Sequence, residues 1–235
     1  MNYWGAGKFA FSGELEAAQR MLADKENAVF FDVGANNGEY ALEIAKRLPA
    51  SATIYCFEPL ESMFHELSRR TRDMPNVRAA NFGLSDKNEK VKLYYGESLE
   101  VLSSLYSNVP GHYTPDSVEI EVKSLDGFLE SEGIDRITYL KIDVEGHELK
   151  VLEGAKNALK EGRIDNIQFE FGEGMLESRV FFRDFWEMLS PQFKIYRILS
   201  NGLREIEAYS RNLEIFHCVN FLAVKKHVAN IPSKN

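Results

Sequence analysis

In the stretch Thr138-Tyr139-Leu140-Lys141-Ile142-Asp143-Val144-Glu145-Gly146-His147-Glu148, acids and bases crowd the end of an apolar run. Residues 139–144 read as a central strand, on which alternation puts Lys141 and Asp143 on one face. A buried Lys–Asp ion pair accounts for those two. Glu145, His147 and Glu148 beside them exceed what a core needs. The group suits general acid–base work, in which a placed carboxylate or imidazole takes the proton of a weak nucleophile. Asp143 is the first candidate base, with Glu145, His147 and Glu170 as alternates, and Lys141 either steadies a developing alkoxide or holds Asp143. Glu170 lies in Ile167-Gln168-Phe169-Glu170-Phe171-Gly172, where an unpaired buried carboxylate is expensive, so it must be paired or functional. Clustered carboxylates also bind divalent cations. Asp143 and Glu145 both have metal-free explanations, however, and no metal ligand is assigned.

A second stretch, Val29-Phe30-Phe31-Asp32-Val33-Gly34-Ala35-Asn36-Asn37-Gly38-Glu39-Tyr40, reads as a buried strand turning sharply into a helix. Such a turn offers backbone N–H groups and a helix N-terminus to a ligand, and its glycines let the backbone approach closely. A plain strand-to-helix turn is the rival reading. Dinucleotide folds carry G-x-G-x-x-G here, whereas this chain has Gly34-x-x-x-Gly38, preceded by Asp32. A carboxylate at that strand end repels a diphosphate and welcomes a cation. S-adenosylmethionine fits, with its cationic amino and sulfonium groups and a ribose that needs an acid at the next strand end. Glu58, closing Thr53-Ile54-Tyr55-Cys56-Phe57, fills that place. An NAD-dependent oxidoreductase and a catalytically silent cofactor-binding scaffold are the alternatives.

The elements that must position these residues follow a strand–helix alternation. An apolar face at Leu15, Ala18 and Leu22 predicts a helix capped by Ser12, covering the sheet edge. Helices follow the strands at 29–33 and 53–57, and a third strand is expected over 77–82. It ends in Asn81-Phe82-Gly83-Leu84-Ser85-Asp86, where Asn81, Gly83 and Leu84 are candidates to border an adenine ring. Residues 90–95 and 118–123 alternate as strands and pair as an inserted ribbon. The roughly 22 residues between them are long for a structureless loop and read as a lid, with disorder as the rival. A helix from Leu149 to Gly162, a strand over 167–172, a helix over 181–189, and strands over 194–199 and 217–224 complete the pattern, the last two as an antiparallel pair. The acceptor pocket is expected from the lid and from 172–183, with Tyr106, His112, Tyr113, Phe171, Arg179 and Tyr196 as contacts. Those aromatics serve a core equally well.

Composition sets the frame. The chain has 235 residues, 44% hydrophobic and 27% charged, which suits one globular domain. We divide it into an N-terminal aromatic segment and covering helix (1–27), a catalytic domain (28–226) and a tail (227–235). Its formal charge of −8 argues against a nucleic-acid partner. No apolar run approaches a membrane span, and the chain reads as cytoplasmic. Cys56 and Cys218 lack metal or disulfide spacing and read as buried thiols in a reducing compartment. Tyr3, Trp4, Phe9 and Phe11 suit packing on the domain, covering a ligand or forming a homodimer, and the sequence does not choose.

Together, Phe31 to Gly38, Phe57-Glu58-Pro59, Asn81 to Asp86 and Leu140 to Glu148 resemble the FkbM family of S-adenosylmethionine-dependent methyltransferases in order and spacing. The resemblance covers about 29–171, with a weaker echo at Asn220-Phe221-Leu222-Ala223. It implies an α/β class I methyltransferase (Rossmann-like) fold: a seven-stranded, mostly parallel sheet with an antiparallel terminal hairpin and helices on both faces. It also implies O-methylation of a hydroxyl on a sugar, glycoconjugate or secondary metabolite. Carried over by position, Asp32, Gly34, Ala35, Asn36, Gly38 and Tyr40 line the methionine part, Phe57, Glu58 and Pro59 the ribose side, and Asn81, Gly83 and Leu84 the adenine, with Asp143 near the reacting methyl. Asn37 and His147 depart from the residues common in the family, which suggests a role peculiar to a subgroup.

Overall fold

The computed structural model describes residues 12–23, 25–95, 103–107 and 116–226. The aromatics at 3–11, His112, Tyr113, most of the expected lid and the 227–235 tail lie outside the described residues.

The apolar run Val29-Phe30-Phe31-Asp32-Val33 forms β1 (Val29–Val33), almost wholly buried, as a parallel strand covered on both faces must be. It lies between β2 (Thr53–Phe57) and β8 (Tyr139–Ile142). Register puts Asp32 opposite Cys56 on one side and Lys141 on the other, so the sequence-distant charges meet in one row. β3 (Val77–Ala80) flanks β2, and β9 (Asn166–Phe171) flanks β8, both in parallel. β12 (Val219–Lys225) and β10 (Phe193–Leu199) then run antiparallel. The seven expected strands are all present. β11 (Gly202–Ile206) adds an eighth at the edge, giving the order β11-β10-β12-β9-β8-β1-β2-β3.

The third strand stops two residues earlier than its apolar content suggests. Gly83–Ser85 leave the main sheet as β4 and pair in parallel with β7 (Asp116–Ser124). The expected ribbon is β7 against β5 (Glu89–Tyr95), antiparallel, with the short β6 (Ser103–Ser104) beyond β5. This second sheet draws the Leu84 side chain into the core, 2% exposed.

Helices cover both faces. Below the glycine turn lie α1 (Glu14–Leu22), α2 (Glu39–Ala45) and α3 (Glu61–Thr71); α1 packs on α2, β8, β10 and β11. The opposite face carries α4 (Leu125–Glu132), α5 (Glu148–Glu153), α6 (Lys156–Lys160), α7 (Gly174–Ser178) and α8 (Phe182–Leu189). Strand alternation splits the aromatics between two cores, Phe30 with Tyr139 on one face and Phe31 with Phe57 and Phe128 on the other. The expected helix to Gly162 is broken at Gly154, where an added Cβ would lie 1.9 Å from the Ser85 carbonyl oxygen. That close approach docks the second sheet. No described helix is long and apolar enough to cross a membrane.

Candidate active site

The turn between β1 and α2 spends its donors internally. The N–H groups of Gly34 and Ala35 both reach the Phe57 carbonyl, at 3.1 and 3.0 Å, and Gly38 N–H reaches Ala35 O. Asn36 N–H donates to Glu58 Oε2 at 2.8 Å. The Asn36 side chain accepts the Asn37 N–H, and the Asn37 side chain accepts the Glu39 N–H. No N–H from Gly34 to Glu39 is left for a phosphate, which corrects the expectation of an open donor cradle and removes the basis for a diphosphate ligand. Glu58 also accepts the Leu60 N–H at 2.9 Å, so it fastens the turn to the end of β2. Burial pushes its carboxyl up to about 7, partly opposed by those two N–H donors. Phe57 contributes its carbonyl while its ring lies in the core. Asn81 donates to the carbonyls of Glu58 and Pro59, at 3.0 and 3.1 Å, which ties the end of β3 to the end of β2.

Beneath the turn lies a buried charged row. Lys141, 3% exposed, donates to Asp32 Oδ1 at 3.1 Å and Asp143 Oδ2 at 3.3 Å, and its ammonium sits 4.9 Å from the centre of the Tyr40 ring. Burial works against that charge, but Asp32, Asp143 and Glu14 hold it above the ordinary lysine range. Burial likewise raises Asp32, with Lys141 opposing. Asp32 Oδ2 has no hydrogen-bond partner among the described residues, an orphaned buried acceptor that fits a cation or donor from a ligand. Tyr40 and Tyr139 both donate to Gln168 Oε1, and Gln168 Nε2 donates to Glu14 Oε2 at 2.8 Å. Sequence reasoning missed Glu14 and Gln168. An acid in the buried stripe of α1 and an amide inside an apolar strand were the available signals, of the same kind as Glu170.

At the C-terminal ends of β8 and β9, Asp143, Glu145 and Glu170 bring carboxylate oxygens within 4.8 Å of one another. Burial, then Asp143, raise Glu145 and Glu170 well above the usual carboxylate range. Cys218 donates its S–H to Glu170 Oε1. This thiol is exposed rather than buried as expected, because it precedes the first residue of β12 and so falls on the sheet rim. Glu145 has φ +54°, a left-handed turn held by Glu148, whose carboxylate accepts the N–H groups of Val144 and Gly146, both at 2.9 Å. Burial pushes Glu148 up to about 8. His147 is turned away from the acids: its Nε2 lies 2.9 Å from Ser85 Oγ and its Nδ1 3.3 Å from Tyr106 Oη. Burial lowers it to about 4, leaving a neutral ring that braces the second sheet.

Of the expected acceptor contacts, Tyr106 and Arg179 line one cavity. Phe171 and Tyr196, 1% and 6% exposed, belong to the two cores instead, because both side chains alternate inward on covered strands.

A model of the methyltransferase FkbM domain matches residues 32–198. The chain is 30% identical to the hexuronic acid methyltransferase AglP of Haloferax volcanii over 150 residues, 63% of this chain and 59% of that relative. It is 23% identical to the 2-O-methyltransferase NoeI of Sinorhizobium fredii over 209 residues, 83% of each. Among solved structures, Aeropyrum pernix fibrillarin with bound S-adenosyl-L-methionine matches at TM-score 0.50 and 13% identity, covering 92% of this chain and 76% of that one, a likeness of fold. With the domain match spanning well over half its length, and the strand order and acidic strand ends in place, the chain belongs to the FkbM family of S-adenosylmethionine-dependent methyltransferases.

Proposed function

We propose that the chain methylates a hydroxyl of a sugar or glycoconjugate, with Asp143 as the base. The observation that carries this reading is the gathering of Asp143, Glu145 and Glu170 within 4.8 Å at the ends of two neighbouring strands. The names of two relatives, a hexuronic acid methyltransferase and a 2-O-methyltransferase, support it. Residues 28–226 would form the catalytic unit, with α1 as its cover.

When bound, S-adenosylmethionine supplies an electrophilic methyl on a cationic sulfur that leaves as a neutral thioether. Asp32, Glu58 and the Gly34–Gly38 turn would hold it, a donor set acidic and free of open anion sites. The chain's work is then alignment and proton removal. As the acceptor oxygen forms its bond to carbon, its proton passes to the Asp143 carboxylate. Lys141 orients that carboxylate at 3.3 Å, and being fully committed to two acids it serves better as a positioning residue than as an alkoxide partner. Glu145 and Glu170, raised by burial and by Asp143, flank that carboxylate within 4.8 Å.

Isothermal titration with S-adenosylmethionine and its demethylated product, followed by labelled methyl transfer to a panel of glycosides, tests the reading. Cofactor binding that is lost in Asp32→Ala and Glu58→Ala, together with label on a hydroxyl, supports it. Cofactor binding with no transfer to any alcohol would leave the scaffold alternative.

A further inference from the structure

The rim that gathers the acids continues one strand further. β9 pairs with β8, putting Gln168 beside Lys141, and with β12, putting Glu170 opposite Asn220. Directly opposed residues of an antiparallel pair share a face, their Cβ atoms about 4.5–5.5 Å apart. Glu170 also brings a carboxylate oxygen within 4.8 Å of one from Asp143. Asp143, Glu170 and Asn220 therefore follow one another across β8, β9 and β12 at one edge of the sheet, each partly exposed.

Asn220 is the member of this line that is not an acid, and its orientation is set from below. Gln168 stands two residues before Glu170 and so faces the same side of β9. Its Oε1 accepts from the hydroxyls of Tyr40 and Tyr139, at 3.2 and 2.8 Å, and its Nε2 donates to Glu14 Oε2 at 2.8 Å. Two hydroxyls on one side and a carboxylate on the other decide which end of the amide is oxygen. Nε2 also reaches Asn220 Oδ1, at 3.4 Å. With its oxygen held inward, Asn220 keeps its Nδ2 for the rim, and that nitrogen makes no hydrogen bond among the described residues. Two neighbouring side-chain donors are committed, Lys141 to Asp32 and Asp143 and the Cys218 thiol to Glu170. An acceptor hydroxyl can give its proton to Asp143, but the acceptor's other oxygens need donors, and ionised carboxylates supply none.

We propose that Asn220 binds the acceptor, donating from Nδ2 to a second oxygen of the molecule whose hydroxyl faces Asp143, and that Glu14 and Gln168 are positioning residues that aim it. The proposal rests on the methyltransferase reading above and deepens it. The Gly34–Gly38 turn follows β1, on the far side of β8, so a cofactor held there leaves the ends of β9 and β12 to the acceptor. β12 lies two strand spacings from β8, about 10 Å, a gap that one sugar ring with a hydrogen bond at each side spans. The oxygen read by Asn220 is then across the ring from the one that is methylated. The same arrangement gives the buried Glu14 of α1 a part in recognition, because it holds Gln168 and Gln168 holds Asn220.

The test uses the glycoside that takes label in the panel above, together with its monodeoxy analogues, at saturating S-adenosylmethionine. Asn220→Ala should fold with the Tm of wild type and raise the KM for the glycoside about 2- to 12-fold, with kcat changed less. One monodeoxy analogue should lose a comparable factor with wild type and nothing further with Asn220→Ala, since donor and oxygen are then both gone. Glu14→Gln, a change one helix away from the acceptor, should raise the same KM and add little in the Asn220→Ala chain. An unchanged KM in Asn220→Ala would overturn the proposal. So would a loss of equal size on every analogue, the result expected if Asn220 only braces Glu170. A wild-type KM in Glu14→Gln would overturn the positioning role of Glu14 and Gln168. Absence of label on every glycoside counts against the methyltransferase acceptor reading instead.

Discussion

Lys141 Nζ lies 3.1 Å from Asp32 Oδ1 and 3.3 Å from Asp143 Oδ2, so one buried ammonium joins β1 to the segment just past β8 that carries the proposed base. Removing it strands Asp32 without a counter-charge. Lys141→Met should cost about 3–5 kcal/mol, read by urea denaturation, and Asp32→Asn in the same chain should recover most of that. A single variant as stable as wild type would show that Asp32 is protonated and needs no partner.

For Asp143→Asn, the shape is nearly kept and the basicity is lost. Turnover should fall by about 100- to 10,000-fold, far more than cofactor affinity in the same titration. If Asp143 acts as a metal-free base, dialysis against EDTA should leave turnover unchanged. Activity lost on chelation and restored by Mg²⁺ would assign the three carboxylates to a metal.

Glu58 supplies opposite pH trends. Its carboxyl is raised from 4.5 to about 7, so the protein free of ligand binds an extra proton between those values. That contribution to stability is present below 4.5 and is lost as pH rises through 7. Cofactor affinity should run the other way, strengthening as the ionised carboxylate becomes available to ribose hydroxyls. Glu58→Gln should flatten both curves; an unchanged pH dependence of cofactor binding would remove Glu58 from the ribose.

Glu148 and His147 shape the rest of the stability profile. Glu148, raised from 4.5 to about 8, contributes stability below 4.5 that is lost as pH rises through 8. His147, lowered from 6.5 to about 4, contributes stability above 6.5 that is lost as pH falls through 4. Thermal melts should therefore decline between about pH 4.5 and 8, less steeply below 6.5 where His147 opposes the two acids, and that lower stretch should steepen in His147→Phe. Glu148→Ala leaves the buried N–H groups of Val144 and Gly146 without acceptors and should cost about 2 kcal/mol or more.

The strand ends were legible because an acid after an apolar run has few structural reasons to be there. Asp32, Glu58, Asp143 and Glu170 all declared themselves that way. Other features depend on contacts that sequence proximity does not encode. Glu14 and Gln168 are 154 residues apart, and only the placement of α1 over β9 joins them. α4 was passed over although Ser124 caps it through the Gly127 N–H and Gly133 stops it. Phe171 and Tyr196 were offered to the acceptor because an aromatic ring suits a sugar face and a core equally, and only packing decides. Cys218 was misplaced by one residue, as its apolar neighbours belong to β12 while it does not.

Gly34 bears on how the enzyme can choose its acceptor. A Cβ there would stand 1.9 Å from the Asp143 carbonyl oxygen, so the turn and the base segment touch through bare backbone with no compressible side chain between them. On the proposed reading, in which the turn holds the cofactor and Asp143 takes the proton, the backbone spacing between methyl donor and base is thereby fixed. Neither backbone segment can slide to suit a longer or shorter alcohol, so discrimination would fall to whatever presents the oxygen between them.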